Sequence, residues 1–199
     1  MKTPKRSLGT GPGLLYTSRR KGETGMTSKS DIGQRALWAA ILLTATIGGS
    51  YIFACALPFA ALAAIAALYL PRRDGLILIL AAWAGNQCIG YGVLDYPRNF
   101  DSFAWGGVIG LCAVASLAMG WAVEKAMTQR EVALIAVFTA CFVAYEFVMT
   151  AATLLLPAGG GFELWVYEYV AVANVLAFLL LLVMQTAGHR IGLAAPVHA

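Results

Sequence analysis

Residues Ala36 to Leu70, ALWAAILLTATIGGSYIFACALPFAALAAIAALYL, run for 35 positions without a charged side chain. As a single helix rising 1.5 Å per residue this stretch would be roughly 50 Å long, against a hydrocarbon core of ~30 Å. It must therefore fold back on itself into two helices, one of them short or tilted. Two turns are available. Gly48-Gly49-Ser50 offers backbone freedom, and Ala56-Leu57-Pro58 offers a proline that breaks the helical ladder.

The rest of the chain is in keeping. With 60% hydrophobic and 12% charged residues over 199 positions and a mean hydropathy of +0.73, it has too little polar surface for a water-soluble domain. The expectation is an all-α membrane protein with room for one bundle, of six transmembrane helices. Upstream, residues 1–33 are rich in Lys, Arg, Gly, Ser and Thr and lack apolar periodicity, so they read as a disordered basic tail and not as a signal peptide. Met26 is an alternative start to Met1. Downstream, Pro71-Arg72-Arg73-Asp74 reads as a tight basic loop, followed by helices over Gly75–Leu94, Phe103–Val123, Glu131–Leu156 and Leu164–Gln185. Pro157-Ala158-Gly159-Gly160-Gly161 ends the fifth. The bundle thus occupies 34–190, and 191–199 is a C-terminal tail.

Charge gives the bundle an orientation, because basic residues collect on the cytoplasmic side. Six helices with both termini cytoplasmic leave only Arg98 of the 14 Lys and Arg residues outside. A five-helix reading, with Ala36–Leu70 as one span, would put the basic tail and Arg72-Arg73 on opposite sides. The outer side then holds Asp95, Asp101, Glu163 and Glu168, among Tyr91, Tyr96, Phe100, Trp105, Phe162, Trp165, Tyr167 and Tyr169. These aromatics suit either an interfacial belt or a pocket wall.

The chemistry gathers in Ala84-Gly85-Asn86-Gln87-Cys88-Ile89-Gly90-Tyr91-Gly92-Val93-Leu94-Asp95-Tyr96-Pro97. Hydrocarbon cannot satisfy the amides of Asn86 and Gln87, so they should face protein, water or a ligand, with Cys88 on the same lining. Cys88 lies near the helix exit, where water supports a thiolate. Cys112 and Cys141 have apolar neighbours at mid-helix and read as inert, while Cys55 belongs to the first hairpin. No Cys-x-x-Cys is present, and His189 and His198 fall at the C-terminal end, so a zinc or histidine site in the bundle is not expected. Glu146, inside helix five, is costly to ionise and marks either a functional group or a protonated, hydrogen-bonded one. Ala60, Ala61, Ala63, Ala64, Ala66 and Ala67, like Gly106 and Gly110, make smooth faces for close helix contact, within the bundle or with a partner.

No Walker P-loop, Gly-x-Ser-x-Gly elbow or His-Glu-x-x-His occurs, so ATP hydrolysis, serine hydrolysis and zinc proteolysis lack their equipment. A small bundle with an outward polar mouth resembles the substrate-binding S-component of energy-coupling factor transporters. Within that group, Asn86-Gln87-Cys88 with Tyr91 and Asp95-Tyr96-Pro97 resembles the solitary cobalamin transporters of Gram-negative bacteria, the BtuM type. The long basic tail has no place in that pattern. The resemblance implies an inner-membrane uptake protein that takes cobalamin from the periplasmic side, with Cys88 as axial ligand of the corrin cobalt and as the residue assisting reductive loss of cyanide. Asn86, Gln87, Tyr91, Tyr96 and Trp105 would line the site. Membrane lipid is an expected partner and nucleic acid is not, and transport would either be driven by an ATP-hydrolysing coupling module or proceed without one, as the solitary members of the family imply. The alternatives are an S-component for another vitamin, which needs no thiol, and a membrane thiol oxidoreductase pairing Cys88 with Cys55.

Overall fold

The computed structural model describes residues 29–52, 58–156 and 164–193. Among them the chain forms six helices and no strand: α1 (Lys29–Ile52), α2 (Phe59–Tyr69), α3 (Arg72–Gly92), α4 (Phe100–Glu124), α5 (Arg130–Thr153) and α6 (Leu164–Arg190). Four of them, α3, α4, α5 and α6 from Trp165 on, are long and apolar enough to cross a membrane.

The fold-back of the long apolar run does not fall at the glycines. α1 passes through Gly48, Gly49 and Ser50 as helix, and α2 starts directly after Pro58, which takes the N-cap position. Ala56, Leu57 and Cys55 lie outside the described residues. Other boundaries also move outward from the expected ones. α1 opens at Lys29, ahead of the expected boundary at residue 34, and Pro71-Arg72-Arg73-Asp74 is not a loop. Pro71 is the N-cap of α3 and the other three residues form its first turn, where the Asp74 carboxylate complements the positive end of the helix dipole. α6 runs past the expected end at Gln185 and stops at Arg190.

The core of the molecule is α2. At 11 residues it is about 16 Å long, half a bilayer core, and every residue from Phe59 to Tyr69 is at most 8% exposed. A helix apolar on all sides must be covered on all sides. α3, α4, α5 and α6 all pack on it. Its alanines let backbones come close: Ala66 opposes Gly75 of α3, and a methyl placed on Gly120 of α4 would lie 2.9 Å from the Ala67 Cβ and 2.8 Å from the Cys141 sulfur of α5. The small-residue face is thus consumed by the bundle's own packing.

Burying a helix start leaves backbone N–H groups without water. Pro58 has no side chain with which to cap them. Asn174 of α6, 3% exposed, does so from across the bundle. Its Oδ1 accepts from the Ala61 N–H at 3.2 Å, while its Nδ2 donates to the Val170 carbonyl at 3.0 Å. A second buried amide fastens the opposite end, where the Trp38 indole N–H donates to Gln185 Oε1 at 2.8 Å.

α3 and α4 run antiparallel in one unbroken register. Arg72 stacks over the Trp121 ring, Trp83 reaches Gly106 and Gly110, Gln87 abuts Gly106, and Tyr91 meets Ser102. α1 lies beside α3 at Ile47 and Gly85, with its start against the end of α6. The start of α3 and the ends of α4 and α6 therefore share one end of the bundle with Arg72, Arg73, Lys125, Arg130 and Arg190. The other end carries Asp95, Asp101 and Glu168 with Arg98.

Candidate functional site

The polar stretch singled out in the sequence forms the last turns of α3 and the connection to α4. Asp95 takes a left-handed backbone conformation, φ 50°, which aspartate tolerates better than most residues. The chain then doubles back, and the Tyr96 N–H donates to the Gly90 carbonyl at 3.0 Å. That return lays the Tyr96 ring on Gly90, so close that a Cβ there would sit 2.7 Å from two ring carbons. Asn99 then starts α4 by accepting the Ser102 N–H at 2.9 Å, the side-chain cap that asparagine at an N-cap supplies.

Tyr91 is the centre of the resulting cluster. Its ring stacks on Phe103 at 4.9 Å and meets Tyr96 edge-on at 6.1 Å. Its hydroxyl lies 3.2 Å from Ser102 Oγ, and its carbonyl accepts from Arg98 Nη2 at 3.2 Å. One turn earlier, the Gln87 carboxamide occupies the space left by Gly106, where a Cβ would be 2.5 Å from Gln87 Oε1. The Trp83 indole N–H donates to the Gly106 carbonyl at 2.9 Å. The structure therefore brings Gln87, Tyr91 and Tyr96 together on the α3–α4 seam. Trp105, half-buried, precedes Gly106 on α4.

Cys88 stands elsewhere. It is a free, exposed thiol, and it continues the exposed positions Leu76, Leu80 and Ala84 at four-residue spacing, the outward stripe of α3. Consecutive helical residues are about 100° apart, so Asn86 is about 200° round from Cys88. Asn86 is half-buried, on the bundle side. A lining shared by Asn86, Gln87 and Cys88, expected from their adjacency, is not what a helix gives. What Cys88 has is reach: one turn, about 6 Å, separates it from the end of α3 at Gly92. An exposed thiol there is available as a nucleophile or as a soft metal ligand.

The remaining candidates sort by burial. Cys112 and Cys141 are 0% exposed, Cys141 donating to the Ser116 carbonyl at 3.2 Å. Phe100, Phe103 and Trp165 are 79%, 54% and 62% exposed, while Tyr91 and Tyr96 are half-buried in the seam. Phe162 and Glu163 lie outside the described residues. Among the described residues no three His, Cys, Asp or Glu side chains converge as a metal site. Asn174 and Gln185, absent from the sequence-based candidates, are the polar groups that hold the bundle. Their signal was available, since each interrupts an apolar run that no lipid-facing amide would tolerate.

Comparison with protein-family models, with curated proteins and with solved structures finds no match to this chain.

Proposed function

We propose that this chain is a multi-pass uptake protein of a bacterial inner membrane, crossing six times with both termini cytoplasmic. In this reading it captures a cobalamin-type corrinoid from the periplasmic side. The observation that carries it is the exposed Cys88 sulfur one turn from the end of α3, at the end of the bundle poor in basic residues. A thiolate there is a soft donor able to take an axial position on the corrin cobalt, and its electron richness weakens the bond to a cyanide on the opposite face. The cargo brings its own metal and four equatorial nitrogens, so a single protein ligand suffices. The half-buried Tyr91 and Tyr96, with Asn86, Gln87 and Trp105 as further candidates, offer aromatic and amide surface to a broad disc fringed with amides. Energy for uphill movement would come from an ATP-hydrolysing partner or from an ion gradient, since the chain has no P-loop.

The test is to purify the protein after expression with cyanocobalamin and record its visible spectrum. Bound corrin whose bands are shifted in wild type and not in Cys88→Ser supports the reading. A colourless protein in the presence of ample vitamin removes it. One observation favours a second reading: Asn86 and Gln87 turn away from Cys88, as they would in a carrier for a vitamin that needs no thiol. Such a carrier would bind its ligand equally well as Cys88→Ser. The oxidoreductase reading rests on Cys55, outside the described residues.

A further inference from the structure

Glu146 is the one charged residue type between the ends of the long helices. Residues 75–94, 102–123 and 169–188 contain no Asp, Glu, Lys or Arg, nor do 36–70, and 132–153 contain Glu146 alone. No cation in any span is therefore placed to neutralise it. Its Oε1 is shut off from solvent and has no hydrogen-bond partner among the described residues. Val143 and Phe147 beside it face outward, 58% and 73% exposed, so the carboxyl lies where α5 turns from the lipid side into its seam with α4.

That seam carries a few other polar groups. Cys112 of α4 is 0% exposed, and Tyr145 directly precedes Glu146 in α5. One turn along α4, Ser116 is 0% exposed and its hydroxyl is also without a partner, and Cys141 reaches the Ser116 carbonyl. α2 brings no charged group to the seam, and α6 brings Tyr167, which meets Thr150 at 3.3 Å one turn beyond Glu146. Two unpartnered oxygens, two thiols and a phenol are too few hard donors to replace the water shell of a metal cation, and no metal-holding cluster forms among the described residues. A proton needs only one oxygen.

We propose that Glu146 is a membrane-embedded proton-binding site, resting as the neutral acid in the α4–α5 seam. The site is independent of what the protein carries. A rearrangement that opens the seam to water releases the proton from the carboxyl oxygen to that water, so the group couples the shape of the bundle to the proton gradient.

Infrared spectroscopy of the full-length protein in detergent and deuterated buffer at neutral pH tests this, because the surface carboxyls are ionised there. Wild type should show the C=O stretch of a protonated carboxylic acid, E146Q should lack it, and exchanging potassium for sodium should leave it in place. A wild-type spectrum with carboxylate bands only, or an acid band that sodium abolishes, overturns the proposal. Should E146Q fail to fold, the wild-type spectrum before and after dicyclohexylcarbodiimide decides. Loss of the band with an adduct mapped to Glu146 supports the assignment, and loss with the adduct mapped to another residue overturns it.

Discussion

At the scale of single residues, small side chains matter here for the backbones they let meet. Gly120 is one such point, facing the Ala67 Cβ on α2 and the Cys141 sulfur on α5. The Cys141 sulfur can rotate away from an added methyl, but the Ala67 Cβ moves only with its helix. Gly120→Ala should therefore destabilise the protein by about 1–3 kcal/mol, seen as a lower unfolding temperature in detergent, and adding Cys141→Ala should recover only part of it. An unchanged melting curve would mean that α2 and α4 are further apart than described. The same scale shows where sequence reading stops. The polarity of Asn86-Gln87-Cys88 is plain from composition, but its split between two helix faces follows from a 100° step that adjacency hides. Which face looks inward depends on the neighbours, because a helix apolar all round carries no period to reveal it.

At the scale of elements, α2 poses the main physical problem, a short helix with its start buried. The break before it was legible, since proline at position 58 cannot donate a ladder bond. The competing Gly48-Gly49-Ser50 turn lost because mid-helix glycine costs only about 1 kcal/mol, which packing overrides. Unread was the partner that completes α2, an amide over 100 positions downstream. Asn174→Leu keeps approximate volume and strands the Ala61 N–H in an apolar interior, so it should cost about 1–3 kcal/mol. Chemical or thermal unfolding of the purified variant measures this. A variant as stable as wild type would show that the bond from the Ala61 N–H to Asn174 does not stabilise the helix start. The ends of α3 shifted from expectation for a related reason: Pro71 fits an N-cap as well as it fits a loop, and the acid that follows favours the former.

At the scale of the whole molecule, the bundle has two unlike ends. Arg72, Arg73, Lys125, Arg130 and Arg190 mark one, and the aromatic knot of Tyr91 and Tyr96 with exposed Cys88 lies toward the other. This polarity was readable from charge counting, because short loops alternate sides and the basic residues fall on one set of them. The functional proposal uses it directly, requiring the end with Cys88 to face the periplasm and the sulfur to be where cargo arrives. The most direct measurement uses a variant with Cys88 as sole cysteine, exposed to a membrane-impermeant maleimide in spheroplasts. The account predicts rapid labelling that excess cyanocobalamin suppresses. Labelling only after the membrane is broken, or labelling that the vitamin leaves unchanged, would contradict it.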